Sequence, residues 1–361
     1  MKFAHFAHVW GKAGMTPHQR YEQLWRELQL CDAVGFDAAY CVEHHFRPDE
    51  SWMSAPSLYA VAAGARTKRL RIGVMGFVVP LYHPLRLAEE IAVVDQMLGG
   101  RFEVGLVSGI IPDYFGPYGA DFADRKKPTL EFVAYLKAAF GAQPFSFKGE
   151  RFAANNVTLA VPPSQRPTPT LWMQSRDPQT LELCAREGLN TGYFFNLPRK
   201  RAAPIYRDFI AKWSAAGHAR KPQIAYSTLV YVDETDAKAR DKAMREAGRA
   251  YLGFTAAPKP GDTDASRIAE WTSHFGADGP LGEGEIMRNM FDPEWMAERD
   301  LLFFGSPDTV AEKLKRAAGE GLFSDFLGEF NFAELAEEDV MRSIRLFGEG
   351  VIPQLKSYEP Y

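Results

Sequence analysis

Short apolar runs alternate along the chain with longer stretches whose apolar residues return every three or four positions. The first kind reads as strands buried on both faces of a parallel sheet, the second as amphipathic helices lying against it. Strands are predicted at Lys2 to Val9, Phe36 to Val42, Leu70 to Val79, Phe102 to Val107, Thr170 to Gln174, Asn190 to Phe195, Ile224 to Val232 and Asp325 to Phe330. Helices are predicted between them: Pro17 to about Val34, Pro56 to about Arg66, Pro84 to Leu98, Lys126 to Phe140, Pro178 to Glu187, Arg199 to Ala216, Ala237 to Leu252, Pro307 to about Glu320 and Leu335 to Phe347. Several open on a capping residue followed by proline at a tolerated first-turn position, as in Thr16-Pro17 and Ser306-Pro307.

Eight β/α units without a break in composition predict an α/β fold, a single (β/α)8 TIM barrel domain over residues 1–361. An open doubly wound sheet would normally bind a dinucleotide through Gly-x-Gly-x-x-Gly after a strand, and neither that fingerprint nor a phosphate loop ending in Gly-Lys-Ser/Thr occurs. Two stretches interrupt the alternation. Phe145 to Val161 carries aromatics, Lys148-Gly149-Glu150 and Asn155-Asn156, and predicts a hairpin excursion. Phe254 to Pro293 is rich in Gly, Pro and charge, and its length without evident structure predicts a lid.

Composition narrows the function class. With 361 residues, 46% hydrophobic and 24% charged, the chain is globular, and a net charge of −4 supplies no basic field for nucleic acid or an anionic membrane. No apolar run is long enough to span a bilayer, and Met1-Lys2-Phe3-Ala4-His5-Phe6 reads as a strand rather than a signal peptide. Cys31, Cys41 and Cys184 are far apart and form no Cys-x-x-Cys, as in buried thiols of a reducing compartment; a cytoplasmic protein is expected.

Ligands of α/β barrels bind at the carboxyl ends of the strands, and titratable residues collect there. Glu43-His44-His45-Phe46 follows the second strand. The plain reading is loop scaffolding, with Glu43 and one histidine paired; the functional reading makes an imidazole the acid/base. Alternation places Phe6 and His8 on one face of the first strand, so if Phe6 points into the barrel His8 does too. His5, His8, His44, His45 and His83, all in the first quarter of the chain, raise a metal site, but His5 and His8 fall on opposite faces and no later strand ends in His, so no metal is expected. Gly73 and Gly76 weaken a buried strand unless another backbone or a flat ligand approaches closely. Asp124-Arg125-Lys126-Lys127 and Gln174-Ser175-Arg176-Asp177-Pro178 put positive charge and a hydroxyl at helix starts, where a phosphate binds well.

Over nearly its whole length the sequence resembles the bacterial luciferase-like flavin monooxygenases. The resemblance rests on Glu43-His44-His45-Phe46, Gly73 through Pro80, His83-Pro84 with Arg86, Asp95-Gln96, Gly100-Arg101-Phe102, Gly119-Ala120-Asp121, Gly305-Ser306-Pro307 and Arg342 to Pro353. It implies a TIM barrel that holds reduced FMN at the strands' carboxyl ends, where the flavin meets dioxygen to form a flavin hydroperoxide. It also implies that His44 is catalytic in proton transfer and that a non-proline cis peptide falls at Met75-Gly76 beneath the isoalloxazine. Phe6, Met75, Gly76, Ser108, Arg125, Gln174, Ser175 and Arg176 are the implied cofactor-binding residues, with His8, Tyr114 and Tyr193 toward substrate. The family pattern has a reactive cysteine and an arginine where this chain has Val107 and Ser108, and Glu where it has Gln174. These departures argue against light emission. Phe6, Tyr114, Phe115, Tyr193, Phe194, Phe195 and the lid residues Trp271 and Phe275 suggest an apolar or aromatic substrate. A separate NAD(P)H:flavin reductase and a homodimer are the expected partners. A deazaflavin-dependent oxidoreductase and a non-catalytic flavin-binding subunit are the alternatives.

Overall fold

The computed structural model describes residues 1–48, 50–253, 259–274 and 283–361. In chain order the elements are β1 (Lys2–Ala7), α1 (Pro17–Val34), β2 (Ala38–Cys41), α2 (Pro56–Arg66), β3 (Arg71–Val78), α3 (Pro84–Met97), β4 (Phe102–Val107), α4 (Lys126–Phe140), β5 (Phe145–Lys148), β6 (Ala153–Val157), β7 (Thr170–Trp172), α5 (Pro178–Glu187) and β8 (Thr191–Phe194). There follow α6 (Arg199–Ala215), β9 (Ile224–Val232), α7 (Asp236–Gly253), α8 (Asp264–His274), α9 (Glu283–Asn289), α10 (Pro293–Glu298), β10 (Phe303–Gly305), α11 (Pro307–Gly321), β11 (Asp325–Glu329) and α12 (Glu337–Leu346).

Parallel pairing runs β9-β11-β1-β2-β3-β4-β7, and β8 joins the other edge of the ring through β9. The remaining gap, β7 to β8, is closed by a parallel bridge between Trp172 and Asn190, supported by Met173 N–H to Asn190 O at 2.9 Å and Asn190 N–H to Leu171 O at 3.0 Å. The ring is therefore a parallel eight-stranded TIM barrel built from the eight predicted strands. The predicted hairpin is present as the antiparallel pair β5–β6.

One expectation is corrected, and one strand is present beyond those predicted from the sequence. The stretch from Phe254 to Pro293 is not structureless: α8, α9 and the start of α10 lie in it, stabilised locally by caps such as Asp292, whose carboxylate accepts from Glu294 and Trp295 N–H. Trp271 turns inward within this insertion, donating to Met287 O at 3.0 Å; Phe275 lies outside the described residues. Strand β10, three residues paired to the upper part of β9, is too short for periodicity to reveal.

The barrel interior interdigitates small and large side chains: Ala4, Ala38 and Ala225 leave room for Trp172, Tyr40, Phe6, Met75 and Leu327. Phe6 thus faces inward, as alternation predicts. Between β3 and β4 the register shifts across Val74–Phe77, and Met75-Gly76 is the expected cis peptide. The glycines there answer to protein packing: a Cβ on Gly76 would lie 2.6 Å from the Gly105 carbonyl carbon, and one on Gly73 would lie 2.3 Å from the Tyr40 ring.

At the amino end of the barrel, Glu103 accepts from Tyr40 Oη at 2.7 Å and Trp172 Nε1 at 2.6 Å, and pairs with Arg71. Arg71 continues to Gln165 at 2.9 Å, and Gln165 to buried Asp95 at 2.7 Å. Burial pushes the nearby Asp325 carboxyl up to about 6, against the charge of Lys2 and a hydrogen bond from Ser324. No helix among the described residues is long and apolar enough to cross a membrane.

Candidate active site

The carboxyl end of the barrel is organised by the loop after β2. Glu43 is buried and accepts three hydrogen bonds: from Val78 N–H at 2.8 Å, Tyr82 Oη at 2.9 Å and His45 Nε2 at 2.9 Å. With its Nε2 proton committed to Glu43, His45 accepts at Nδ1 from Tyr118 Oη at 3.2 Å. Glu43 and His45 are therefore the loop scaffold, and the plain reading of the motif holds for that pair.

His44 is different. Its Nδ1 lies 3.1 Å from Glu50 Oε1 and 3.0 Å from Tyr114 Oη, and its Nε2 has no partner among the described residues. Glu50 is itself buried and pairs with Arg47 at 3.1 Å. Burial works against charge on Glu50, but the His44 hydrogen bond and the charges of His44, Arg47 and His8 hold its carboxyl below the usual range. Glu50 is ionised at neutral pH.

His8 rises from β1 beside His44, ring centroids 5.4 Å apart, and its Nδ1 lies 2.8 Å from Glu329 Oε2 on β11. Trp10 Nε1 donates to the other oxygen of Glu329, and Ser51 Oγ to the His8 carbonyl. Burial opposes charge on His8, but Glu329, with Glu50 beyond it, outweighs that cost and raises the pKa above the ordinary imidazole value. Two carboxylate–imidazole pairs thus face each other across the mouth. Phe46, next in the loop, is 61% exposed and held at φ 60°, a conformation a bulky side chain rarely adopts.

The anion-binding candidates lie at the same mouth, because β2, β4 and β7 run parallel. Arg125 precedes α4; its Nε donates to Gly109 O at 3.0 Å and Nη1 to Phe122 O at 2.8 Å, with the guanidinium 3.7 Å over the Phe122 ring. Nη2 bonds no atom among the described residues. Ser175 Oγ accepts from Asp177 N–H at 3.0 Å at the start of α5. Lys126 and Asp177, 3.9 Å apart, bring the two helix starts together, with Arg176 between Ser175 and the Asp177 cap. The β4–α4 loop links this region to the imidazoles: Tyr114 meets His44, and Phe115 packs on Phe122, centroids 5.1 Å apart.

Gln174 follows inward-facing Trp172 by two residues, and both its amide atoms are shut off from solvent without a partner among the described residues, as is Ser227 Oγ on β9. An unpaired buried polar group costs about 1–3 kcal/mol. These atoms fit a ligand edge carrying both donors and acceptors, which the pyrimidine edge of a flavin supplies, while Arg125 and Ser175 fit its phosphate. Met75 and Gly76 stand at the same end of β3, and Ser108 follows β4 directly.

One predicted substrate residue lies apart from the group. Tyr193 points out of the barrel: it donates to Gly321 O at 2.7 Å and stacks on Tyr206, centroids 4.9 Å apart. The pleat of β8 instead turns Phe194 toward Phe6, at 6.5 Å. Glu50 and Glu329, the partners of the two imidazoles, were not marked by sequence spacing; 321 residues separate His8 from Glu329.

A cavity of about 320 Å³ opens at the opposite, amino end, lined by Lys2, Asp37, Tyr40, Arg71, Glu103 and Asp325 among others. Arg71 and Glu103 pair within it, Lys2 donates to Gln223 at 2.7 Å, Asp37 pairs with Lys356, and barrels carry their chemistry at the other end. We therefore take the His44 mouth as the site.

Residues 1–323 match the family model of luciferase-like monooxygenases. The chain belongs to that family. Among relatives, it is 32% identical over 190 residues to the protein y4wF of Sinorhizobium fredii, covering 53% of this chain and 55% of that one. The chain thus spans about half the length of the first curated relatives it matches. It is 25% identical over 322 residues to the oxygenase component of the flavin-dependent trigonelline monooxygenase of Acinetobacter baylyi, covering 87% and 85% of the two chains. It is 26% identical to the FMNH2-dependent dimethylsulfone monooxygenase of Pseudomonas putida, covering 82% and 77%. The fold is shared with monooxygenase RslO1 of Streptomyces bottropensis (TM-score 0.82, 22% identity, 98% and 99% covered). It is also shared with the oxygenating constituent of 3,6-diketocamphane monooxygenase of Pseudomonas putida, solved with FMN (TM-score 0.78, 21% identity, 98% of each covered).

Proposed function

We propose that this luciferase-like chain is the oxygenase of a two-component flavin-dependent monooxygenase, taking reduced FMN from a separate NAD(P)H:flavin reductase and oxygenating an apolar or aromatic small molecule. The observation that carries the reading is His44: a largely enclosed imidazole with one nitrogen engaged and the other without a partner among the described residues, at the mouth that also carries Arg125 and Ser175. Bound reduced FMN would supply the two electrons that let one atom of dioxygen enter the substrate while the other leaves as water.

In this reading Arg125, through Nη2, and Ser175 with Arg176 and the start of α5 hold the phosphate. Phe6, Met75, Gly76, Ser108 and Gln174 form the seat of the ring. His44 gives or takes a proton at Nε2, and His8 and Tyr114 stand toward substrate. The protein works in the cytoplasm as a homodimer.

The test is to mix the protein anaerobically with reduced FMN, admit oxygen in the presence of a panel of apolar and aromatic compounds, and weigh the products. A gain of one oxygen atom is expected. A second reading, a deazaflavin-dependent oxidoreductase, is favoured by fold likeness to an F420-dependent secondary alcohol dehydrogenase (TM-score 0.68, 17% identity). A protein that binds F420 and ignores FMN would overturn the main proposal in its favour.

A further inference from the structure

We infer that Glu50 is the positioning residue of the site: its carboxylate holds the proton on His44 Nδ1, so that Nε2 faces the mouth as a proton acceptor. The inference deepens the reading of His44 and rests on it only for the meaning of Nε2, not for the tautomer itself.

Two groups contend for Nδ1. Glu50 Oε1 stands 3.1 Å away as an ion-pair partner and Tyr114 Oη 3.0 Å away with hydrogen-bond alignment, so distance does not separate them. Their chemistry does. A carboxylate can only accept, which requires the proton on Nδ1. A phenol could donate to a bare Nδ1, which would move the imidazole proton to Nε2 and turn Nδ1's lone pair toward the Glu50 charge. A carboxylate charge 3.1 Å from Nδ1 favours a proton on that nitrogen over a bare lone pair facing the charge, and Glu50 is ionised. Tyr114 is compatible with this outcome, since its oxygen can share the Nδ1 proton while also accepting from the His45 backbone N–H.

The surroundings favour a fixed carboxylate. Glu50 is 2% exposed, and its backbone N–H donates to Arg47 O at 3.0 Å, closing a turn that brings its side chain back beneath His44. Arg47 pairs with its other oxygen at 3.1 Å, and Arg47 also reaches Gly253 O at the end of α7 at 3.4 Å. The groups facing this pair are Arg47, Tyr114, His8 with Glu329, and the scaffold pair Glu43–His45. His45 shows the contrast within one dipeptide: its acidic partner engages Nε2, leaving Nδ1 to accept, the opposite tautomer to that inferred for its neighbour.

The experiment is nitrogen-15 NMR of the histidine rings in the full chain without flavin, for wild type, Glu50→Gln, Glu50→Asp and Tyr114→Phe, with His44→Ala to assign the signals. Wild type is expected to show His44 protonated at Nδ1. Glu50→Gln, which can donate to Nδ1, is expected to move the Nδ1–H to Nε2–H ratio at least tenfold toward Nε2–H. Glu50→Asp is expected to restore part of the wild-type ratio, and Tyr114→Phe to leave it within twofold. A ratio unchanged in Glu50→Gln, or shifted only in Tyr114→Phe, overturns the inference. If Glu50→Gln does not fold, the wild-type tautomer and the Tyr114→Phe spectrum still decide: Nε2–H in wild type refutes it. FMN titration of the same samples separates the two proposals, because a shifted tautomer in a protein that binds no flavin keeps the role of Glu50 and removes the monooxygenase reading.

Discussion

The two ends of this barrel both bury charged side chains, and they use them in opposite ways. At the amino end Glu103 satisfies Tyr40, Trp172 and Arg71 at once, and the chain of partners runs on through Gln165 to Asp95. At the carboxyl end the polar groups are only half matched: His44 Nε2, Arg125 Nη2, both amide atoms of Gln174 and Ser227 Oγ lack protein partners among the described residues. A closed network adds to stability and specificity of packing. An open one keeps its unspent hydrogen-bonding capacity for a ligand.

This contrast can be broken most forcefully at His44. His44→Ala is expected to lower oxygenation by roughly 10²–10⁴-fold, the usual worth of a positioned acid/base, with FMN affinity nearly unchanged; steady-state turnover beside a binding titration checks it. Glu103→Ala should do the reverse. Leaving Arg71 half-buried without its anion, and Tyr40 and Trp172 without an acceptor, is expected to cost about 3–5 kcal/mol of stability, read as a lowered urea midpoint. Arg125→Ala is expected to weaken FMN binding by the loss of one charge-assisted bond, about 1.5–3 kcal/mol, without lowering the urea midpoint comparably.

The smallest effect tests the amino end by pH. Asp325 ionises near 6 in the folded protein and near 3.8 in the unfolded chain. A carboxyl raised on folding contributes stability that is present below the unfolded value and is lost as pH rises through about 6. Asp325→Asn is therefore expected to be more stable than wild type at pH 8, on the order of 2 kcal/mol, and nearly equal to it at pH 4. Urea unfolding at the two values checks the sign; a variant less stable at pH 8 would show that Asp325 is paired rather than merely buried.

Much of this was legible in the chain before any coordinates. The eight strands and the helices between them follow from continuous apolar runs and capped helical periods, both local signals. The Glu43–His44–His45 stretch, Arg125 and Ser175 announced themselves by residue type at the carboxyl ends of strands. What stayed hidden was of two kinds. Register within β8 turns on the pleat, and a one-residue difference puts Phe194 inside and Tyr193 outside. The pairings His8–Glu329 and His44–Glu50 depend on closure of the ring and on a turn that brings residue 50 back under residue 44. The helices of the insertion were obscured by its glycine and proline content, although Asp264 and Asp292-Pro293 are ordinary helix starts.

The central claim is that the half-matched end of the barrel is a flavin site and the closed end is not. Anaerobic titration of reduced FMN into wild type, Arg125→Ala and Glu103→Gln tests it in one experiment. Saturable binding in wild type, weakened at least tenfold in Arg125→Ala and preserved in folded Glu103→Gln, is the predicted result. Binding indifferent to Arg125 but lost in Glu103→Gln, or no binding of reduced FMN at all, would contradict it.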